Sequence, residues 1–361
     1  MSIITFRYRI KDATSGKHLN SMAMSINYVW NYCQEVSLLA WRRDKISLSA
    51  YDLQKLTAGA SKDLRLSADT IQQVCTEYVT RCKQFKKLKL KWRSKKRSLG
   101  WIPFKSANIK FRNNSVIYCG YCFRMWLSRP VNGVVKTGSF VEDARGRWYV
   151  TFQCEVEDIV ELIGRLEIGV DLGLKHQITC SDGIQYAREN LTKKHEDTLA
   201  MAQRAHKKKR VKSIHAKIQN VRIDWTHKAT TDIVRRAKYI VIGDVSSSKL
   251  IKTPFAKSTY DASWYEIKRQ LEYKAKMLAG VCVVVDEKFS TVTCSNCLER
   301  TGPSGLNGLK IRMWVCSNCG VKHDRDVNAA QNILAFRTGR GTPIKGICLI
   351  QQAEDVKKKN P

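Results

Sequence analysis

Residues 166–174 read LEIGVDLGL, an apolar strand-length run that ends on one carboxylate, Asp171, followed by a turn containing Gly173. A carboxylate at the end of a buried strand sits where the backbone turns and a ligand can reach it. The next residues, KHQITCSD (175–182), read as an adjacent strand, and YIVIGDV (239–245) and VCVVVD (281–286) are further β-branched runs of strand length. A polar, basic and largely helical segment fills Leu191 to Lys238, and a second helix is expected around Tyr260 to Leu278. After a cysteine-rich insert comes DVNAAQNILAF (326–336), again with helical spacing. Strands alternating with helices predict an α/β domain that is interrupted near its end.

Upstream the pattern is different. TFRYRIKD (5–12) alternates Phe6, Tyr8 and Ile10 with polar neighbours and predicts a strand. From Leu19 to about Trp41, the residues Leu19, Met22, Ala23, Ile26, Val29, Trp30 and Cys33 fall on one helical stripe. A second amphipathic helix starts after Ser67, a plausible N-cap, and carries Ile71, Val74, Tyr78, Cys82 and Phe85 into KKLKLKWRSKKR (86–97), expected as a basic helix end. NSVIYCGYCFRMWLS (114–128) and RGRWYVTFQCEV (145–156) return to strand period. An N-terminal β domain, residues 1–15 and 100–160, therefore holds a helical insertion at 16–99. The tail, 341–361, ends in KKKNP and is expected to be poorly ordered.

At 361 residues the chain exceeds one ordinary domain, and 43% hydrophobic with 9% aromatic residues is globular composition. Lys and Arg number 64 against 32 acids, a net +32 that makes a polyanion the default partner. The longest apolar run, Met277 to Val285, is too short to span a membrane, and Met1 to Lys11 has no signal-peptide core. A soluble, unexported protein is the expectation. Two basic runs stand out. Lys83 to Arg97 includes Lys86, Lys87, Lys89, Lys91, Trp92, Arg93, Lys95, Lys96 and Arg97, and the interleaved Phe85, Trp92 and Trp101 favour nucleic acid over a merely solvated face. Arg204 to Lys217, with Lys207, Lys208, Lys209 and Arg210, has fewer aromatics and a weaker case. Arg222, His227 and Lys228 are further contact candidates; for His227 and Lys228, helix capping or pairing is the ordinary alternative.

Thirteen cysteines, unevenly spread, suit metal ligation of a subset better than a disulfide framework. Cys294 and Cys297, then Cys316 and Cys319, form two CxxC pairs around a Gly-rich stretch, the spacing of a closed tetrahedral zinc site with a structural role. Cys119 and Cys122 have no second pair nearby and are expected as core packing, and His323 as a residue beside the site rather than a ligand. The remaining chemistry is acidic. Asp171 and Asp326 each have an ordinary alternative, Asp326 as a helix N-cap. In a strongly basic, polyanion-binding chain, however, paired carboxylates would repel the partner unless divalent cations lay between them.

These residues together resemble a family. GVDLGLKHQIT (169–179), RIDWTHK (222–228), LEYK (271–274), the two CxxC pairs and HDRDVNAAQNI (323–333) are similar to the transposon-encoded TnpB proteins, relatives of the type V CRISPR effectors. The match runs from about Arg165 to Ala335, with weaker echoes in Asn27, Trp30, Asn31 and in GWIPF (100–104). The resemblance implies a RuvC-like RNase H fold nuclease domain, residues 161–290 and 321–340, carrying a zinc ribbon at 291–320. It also implies a preceding wedge β-barrel with a helical recognition insertion. It further implies a guide RNA from the transposon end, double-stranded target DNA beside a short adjacent motif, and cleavage with two catalytic Mg²⁺ and one structural Zn²⁺. The setting implied is a prokaryotic cytoplasm, at the nucleoid, and the state a monomer or weak dimer.

The chain departs from the family's commonest pattern at one acid. Relatives end the strand matching YIVIGDV with Glu-Asp, and here the Glu position is Gly243. Asp244 and Glu287 are the candidates for the third catalytic acid beside Asp171 and Asp326. Strand side chains alternate, so Asp244 should start on the opposite face from residue 243. Glu287 ends the next strand, and some family members resemble this chain in carrying a relocated glutamate there. The competing function is a nuclease-inactive, RNA-guided DNA-binding repressor, which needs the same basic surfaces and no acids; nothing supports a strand-joining transposase.

Overall fold

The structure, a computed structural model, describes residues 2–11, 13–157, 166–245, 256, 259, 262–308 and 310–336. The tail at 341–361, the ends of the expected nuclease segments at 161–165 and 337–340, and Tyr260 lie outside the described residues. The chain divides into two compact units, 1–157 and 158–361.

In the first unit, β1 (Ser2–Ile10) enters a seven-stranded antiparallel sheet with β2 (Trp101–Lys105), β3 (Ile109–Arg112), β4 (Ser115–Tyr118), β5 (Tyr121–Trp126), β6 (Val134–Glu142) and β7 (Trp148–Val156), in the order β2-β6-β7-β1-β5-β4-β3. The pleat turns Phe6, Tyr8 and Ile10 inward, as the alternation predicts. The sheet curls toward a near-closed barrel, bringing Phe111 of β3 to 5.0 Å from Phe152 of β7 and Phe104 of β2 to 6.1 Å from Tyr118 of β4. Each fully buried ring contributes about 1.5–3 kcal/mol, which makes this aromatic interior the main stabilising feature of the sheet.

Between β1 and β2 lie α1 (Ala13–Asp44), α2 (Ala50–Leu56), α3 (Ala60–Leu64) and α4 (Ala68–Phe85). The predicted stripe of α1, from Leu19 to Cys33, is buried in the same core as the sheet, and Trp30 meets Tyr78 of α4 edge-on at 5.4 Å. Two expectations fail in this unit. The basic run is not helical: α4 stops at Phe85, Lys86 turns to φ 50°, and the Lys87 N–H returns to the Cys82 carbonyl. That is a Schellman-type end, closed here without glycine. Cys119 and Cys122 are exposed rather than core. Cys119 and Gly120 form the two-residue turn joining β4 to β5, both at positive φ, and the paired tyrosines 118 and 121 close it.

The second unit is built on a mixed five-stranded sheet of β8 (Leu166–Asp171), β9 (Ile178–Cys180), β10 (Gln185–Tyr186), β11 (Ala237–Gly243) and β12 (Val281–Val285), in the order β10-β9-β8-β11-β12. β8, β11 and β12 run parallel, while β9 and β10 are antiparallel additions. Helices α5 (Leu191–Lys194), α6 (Glu196–Arg204) and α7 (Lys208–Arg236) follow β10, and α8 (Trp264–Met277) precedes β12. The short α9 (Gly305–Gly308), the hairpin β13 (Met313–Val315) and β14 (Lys322–Asp324), and α10 (Arg325–Phe336) complete the described unit.

β11 is buried on both faces, and its alternation sorts the helices. Ile240 and Ile242 join Ile168, Val170, Ile233, Ile267 and Leu271 on the face covered by α7 and α8. Tyr239 and Val241 pack with Val285, Ile333 and Phe336 on the face covered by α10. α10 presses against β8 because Gly169 has no side chain: a Cβ there would lie 2.0 Å from the Ala330 carbonyl oxygen. Lys274 of the LEYK segment ties α8 to α7, donating to the His227 carbonyl and to the hydroxyls of Thr230 and Thr231.

Candidate functional site

The C-terminal ends of the three parallel strands gather the acids. Asp171 closes β8 on the face of Gly169, the α10 face. Gly243 closes β11 on that same face, and a Cβ at 243 would meet Glu287 Oε2 at 2.8 Å and Ile333 at 2.9 Å. The Glu287 carboxylate, two residues beyond β12, thus stands against the space a side chain at 243 would enter. Asp326 arrives from the first turn of α10. All three acids are half-buried. Burial, then the nearby carboxylates of Glu287 and Asp326, push Asp171 up to about 8 against the opposing pull of Arg325 and Arg312. Burial likewise lifts Glu287 to about 7, opposed by Lys268 and reinforced by Asp244 and Asp286. Like charges held together in a desolvated pocket raise each other's pKa in this way.

Asp244 goes elsewhere. Its carboxylate accepts from Lys268 Nζ of α8 at 2.5 Å and its side chain stays 62% exposed, on the opposite side of the strand from Gly243. Asp326 is not the N-cap of α10. Asp324 takes that role, its Oδ1 accepting from the backbone N–H groups of Asp326 and Val327, which spares the Asp326 carboxylate from capping. Arg312, just before β13, donates from Nη1 to both Asp326 oxygens at 2.9 Å. A cavity of about 560 Å³ has among its lining residues Phe289, Arg300 and Arg325, the first two residues after Glu287 and the last next to Asp326.

The four cysteines form a second centre. Among the described residues, the ligand atoms of Cys294, Cys297, Cys316 and Cys319 all lie within 4.8 Å of one another. The two knuckles match: the Leu298 N–H bonds to the Cys294 carbonyl and the Gly320 N–H to the Cys316 carbonyl, at φ 65° and 73°. Thr301 Oγ1 lies 3.0 Å from Cys316 and, with backbone N–H groups, holds that thiol down at about 6. His323 is buried, stacks on Trp314 with centroids 4.8 Å apart, and places Nε2 3.0 Å from Cys294 Sγ, beside the set rather than in it. The β13–β14 hairpin continues to Asp324, beyond the boundary expected at 320.

Asn328 and Asn332, one helical turn apart on α10, donate to the Ser290 and Thr293 carbonyls, and the Ser295 N–H donates back to Asn328. These buried amides tie the helix that carries Asp326 to the segment between Glu287 and Cys294. Sequence reasoning missed Asn328, Asn332, Arg312 and Asp324. The i, i+4 spacing of the two asparagines in a helix was the available signal, since unpartnered amides are rare on a buried face.

The basic candidates are scattered. Lys86, Lys87, Lys89, Lys91, Lys95, Lys96 and Arg97 are exposed, and Trp92 is 49% exposed. Arg93 differs. Its side chain donates to Asn27 Oδ1 and to the Leu99 carbonyl, Asn31 pairs with its backbone, and its guanidinium lies 5.6 Å from the Trp30 ring centroid. It pins the run to α1, so its guanidinium donors are engaged within the fold. Lys207 to Arg210 are exposed at the start of α7. On the same helix Lys228 pairs with Asp224 at 2.8 Å, Arg222 is half-buried and His227 exposed. No helix among the described residues is long and apolar enough to cross a membrane.

Comparison with known proteins matches residues 264–333 to the Cas12f1-like TNB domain family. A protein of Streptomyces pristinaespiralis named "Putative RNA-guided DNA endonuclease" is 32% identical over 264 residues, 68% of this chain and 64% of its own length. The Escherichia coli K12 protein named "Putative RNA-guided DNA endonuclease InsQ" is 30% identical over 58% of each chain. A "TnpB-like protein" of Acanthamoeba polyphaga mimivirus is 26% identical over 34% of this chain and 24% of its own. The chain spans less than two thirds of the length of each of these relatives. The matched TNB segment begins on α8, contains Glu287, the four cysteines and Asp326, and ends at Ile333, so the likeness to the Cas12f1-like and TnpB-like proteins falls on the segment that carries most of the candidate site.

Proposed function

We propose that this protein is an RNA-guided DNA endonuclease that hydrolyses phosphodiester bonds, with Asp171, Glu287 and Asp326 as its catalytic acids. The observation that carries the reading is their convergence on one face at the C-terminal edge of three parallel strands, with Glu287 against the side-chain space of Gly243. The mixed sheet with α10 on one face and α7 and α8 on the other supports a RuvC-like RNase H fold, and the curled sheet with its helical insertion supports a wedge and recognition module. The names of the relatives support RNA and DNA as partners. The guide from a transposon end, the short adjacent motif and the two-metal chemistry follow from the resemblance.

The donor sets fit the expected metals. Three hard carboxylates, one pushed up to about 8 by burial and then by its neighbours, form a site that a divalent cation such as Mg²⁺ would relieve. Two such ions would activate a water and stabilise the leaving oxygen. The protein's own part is positional. Gly169 lets α10 approach β8, Asp324 caps α10 so that Asp326 is spared the capping role and is held instead by Arg312, and Arg300 and Arg325 line a cavity suited to the phosphate backbone. Four thiolates fit one zinc with no open coordination site, a structural role.

Purification from cells that also carry flanking transposon DNA, sequencing of the bound RNA, and plasmid cleavage with Mg²⁺ test the reading. A discrete RNA and cleavage beside one fixed motif are expected. Guided binding with no cleavage under any divalent metal would favour the repressor, and absence of any bound RNA would reject guidance.

A further inference from the structure

One of the buried polar groups around the four cysteines is a ring. His323 of β14 lies directly opposite Trp314 in the β13–β14 register, is only 7% exposed, and stacks on that indole. Its Nε2 stands 3.0 Å from the Sγ of Cys294, a residue with no exposed surface. The sulfur atoms are spaced as a tetrahedron requires. Cys294 and Cys319 are 3.6 Å apart, as are Cys297 and Cys316, close to the edge of about 3.8 Å that zinc–sulfur bonds of about 2.3 Å give. Four thiolates outweigh the charge of one Zn²⁺, so such a centre carries excess negative charge on sulfur, and hydrogen-bond donors aimed at sulfur stabilise it. Thr301 Oγ1 faces Cys316, and His323 faces Cys294. β14 then leads directly through Asp324, the cap of α10, to Asp326.

We propose that His323 is a positioning residue of the zinc centre, its Nε2–H donating to the Cys294 thiolate and holding that sulfur in place for the metal, an inference that rests on the zinc site proposed above. A thiolate can only accept, so the bond makes Nε2 the protonated nitrogen and fixes the tautomer of the ring. Stacking on Trp314 fixes the ring plane, so the donor cannot swing away from the sulfur. Burial raises the cost of losing it, because no water is at hand to replace the N–H at Cys294. The ring supports a ligand and is not one itself: the four thiols already complete a closed tetrahedral set. Through β14 the same contact ties the first knuckle to the strand that delivers Asp326, so zinc retention and the placing of that acid share one side chain.

The test compares the full wild-type chain with His323→Phe and His323→Gln. Phenylalanine keeps a ring on Trp314 and has no donor, whereas glutamine gives up the ring and carries an amide N–H at about the reach of Nε2. Zinc affinity is read by competition with a chromogenic chelator, and the ligand set from the absorption spectrum of each chain reloaded with Co²⁺. His323→Phe should bind zinc about tenfold to a hundredfold more weakly, the usual cost of removing a hydrogen-bond partner of a metal ligand, and His323→Gln should recover most of that loss. Four sulfur ligands are expected in all three Co²⁺ spectra, and the same circular dichroism at saturating zinc. Wild-type zinc affinity in His323→Phe beside a loss in His323→Gln would overturn the donor role and leave the ring as packing for Trp314. A wild-type Co²⁺ spectrum of three sulfurs and one nitrogen, changed in His323→Phe, would overturn it by making His323 a ligand. Absence of stoichiometric zinc from the wild-type chain would remove the zinc site itself and this inference with it, while the proposed nuclease function would still be judged by cleavage.

Discussion

Cys294, Cys297, Cys316 and Cys319 come together through two short turns of matching geometry, whereas Asp171, Glu287 and Asp326 reach one point from three distant segments of chain. The thiol centre is assembled largely by local backbone, with its sulfur atoms already within 4.8 Å of one another. The acid centre depends on strand order, on the two glycines that let α10 and Glu287 approach, and on helix caps. Burial and like charge both resist assembly of these carboxylates, so the fold must hold them in place, and the raised pKa of Asp171 reflects its burial first and its neighbours Glu287 and Asp326 second. The difference teaches that one centre stabilises its own small segment while the other draws on the stability of the whole sheet. Asn328 and Asn332 join them, hydrogen-bonding across the residues that separate Glu287 from Cys294.

The contrast is broken most severely at the acids. If the proposed roles hold, Asp171→Ala, Glu287→Ala and Asp326→Ala should each lower Mg²⁺-dependent cleavage about a thousandfold or more while guided DNA binding stays near wild type, because each would remove a proposed metal-ligand oxygen. Plasmid cleavage and gel-shift assays read the two properties separately; full activity in Glu287→Ala would remove it from the site. Cys316→Ser comes next. Structural zinc supplies a large part of the folding energy of a small insert, so this variant should lose its zinc by elemental analysis and unfold its ribbon. Cleavage should fall with it, since Arg312 and the Asn328–Asn332 contacts connect the ribbon to the acid-bearing helix.

Titration sharpens the comparison further. Asp171 ionises near 8 in the folded chain, above the ordinary range of an unfolded Asp. The native state therefore holds more protons than the unfolded state between about pH 4 and 8, and stability falls as pH rises through that window. Asp171→Asn should flatten this slope and raise the melting temperature at pH 8, without added divalent cation, by about 3 °C. An unchanged slope in calorimetric scans would mean that burial and its neighbours do not hold Asp171 above the ordinary carboxylate range. The smallest effect belongs to Asp244→Ala. Its carboxylate is 62% exposed and lies outside the acid cluster, paired with Lys268, so cleavage should drop only a few-fold, through the altered charge beside Glu287. A dead Asp244→Ala enzyme beside an active Glu287→Ala enzyme would exchange the roles of the two residues.

Local pattern was sufficient wherever the physics is local. The CxxC pairs, the strand period of LEIGVDLGL and YIVIGDV, the stripe of α1 and the helix beginning near Asp326 are all set by spacing along the chain, and the alternation rule already turned Asp244 away from the face of residue 243. Tertiary structure decided the rest. The basic run leaves its helix at Lys86 because a Schellman-type turn closes α4, and Arg93 is engaged by Asn27 and Asn31, partners far from it in sequence, as well as by the nearby Leu99 carbonyl. Cys119 and Cys122 are exposed because a two-residue turn and its flanking pair fix which way that hairpin faces. The Glu287 carboxylate meets the side-chain space of Gly243 only because β11 and β12 lie side by side and parallel, bringing together residues that sequence separates by forty-four positions. Spacing encodes what neighbours along the chain do to one another; which distant groups share a desolvated pocket is fixed only when the sheet is assembled and the helices are packed on its faces.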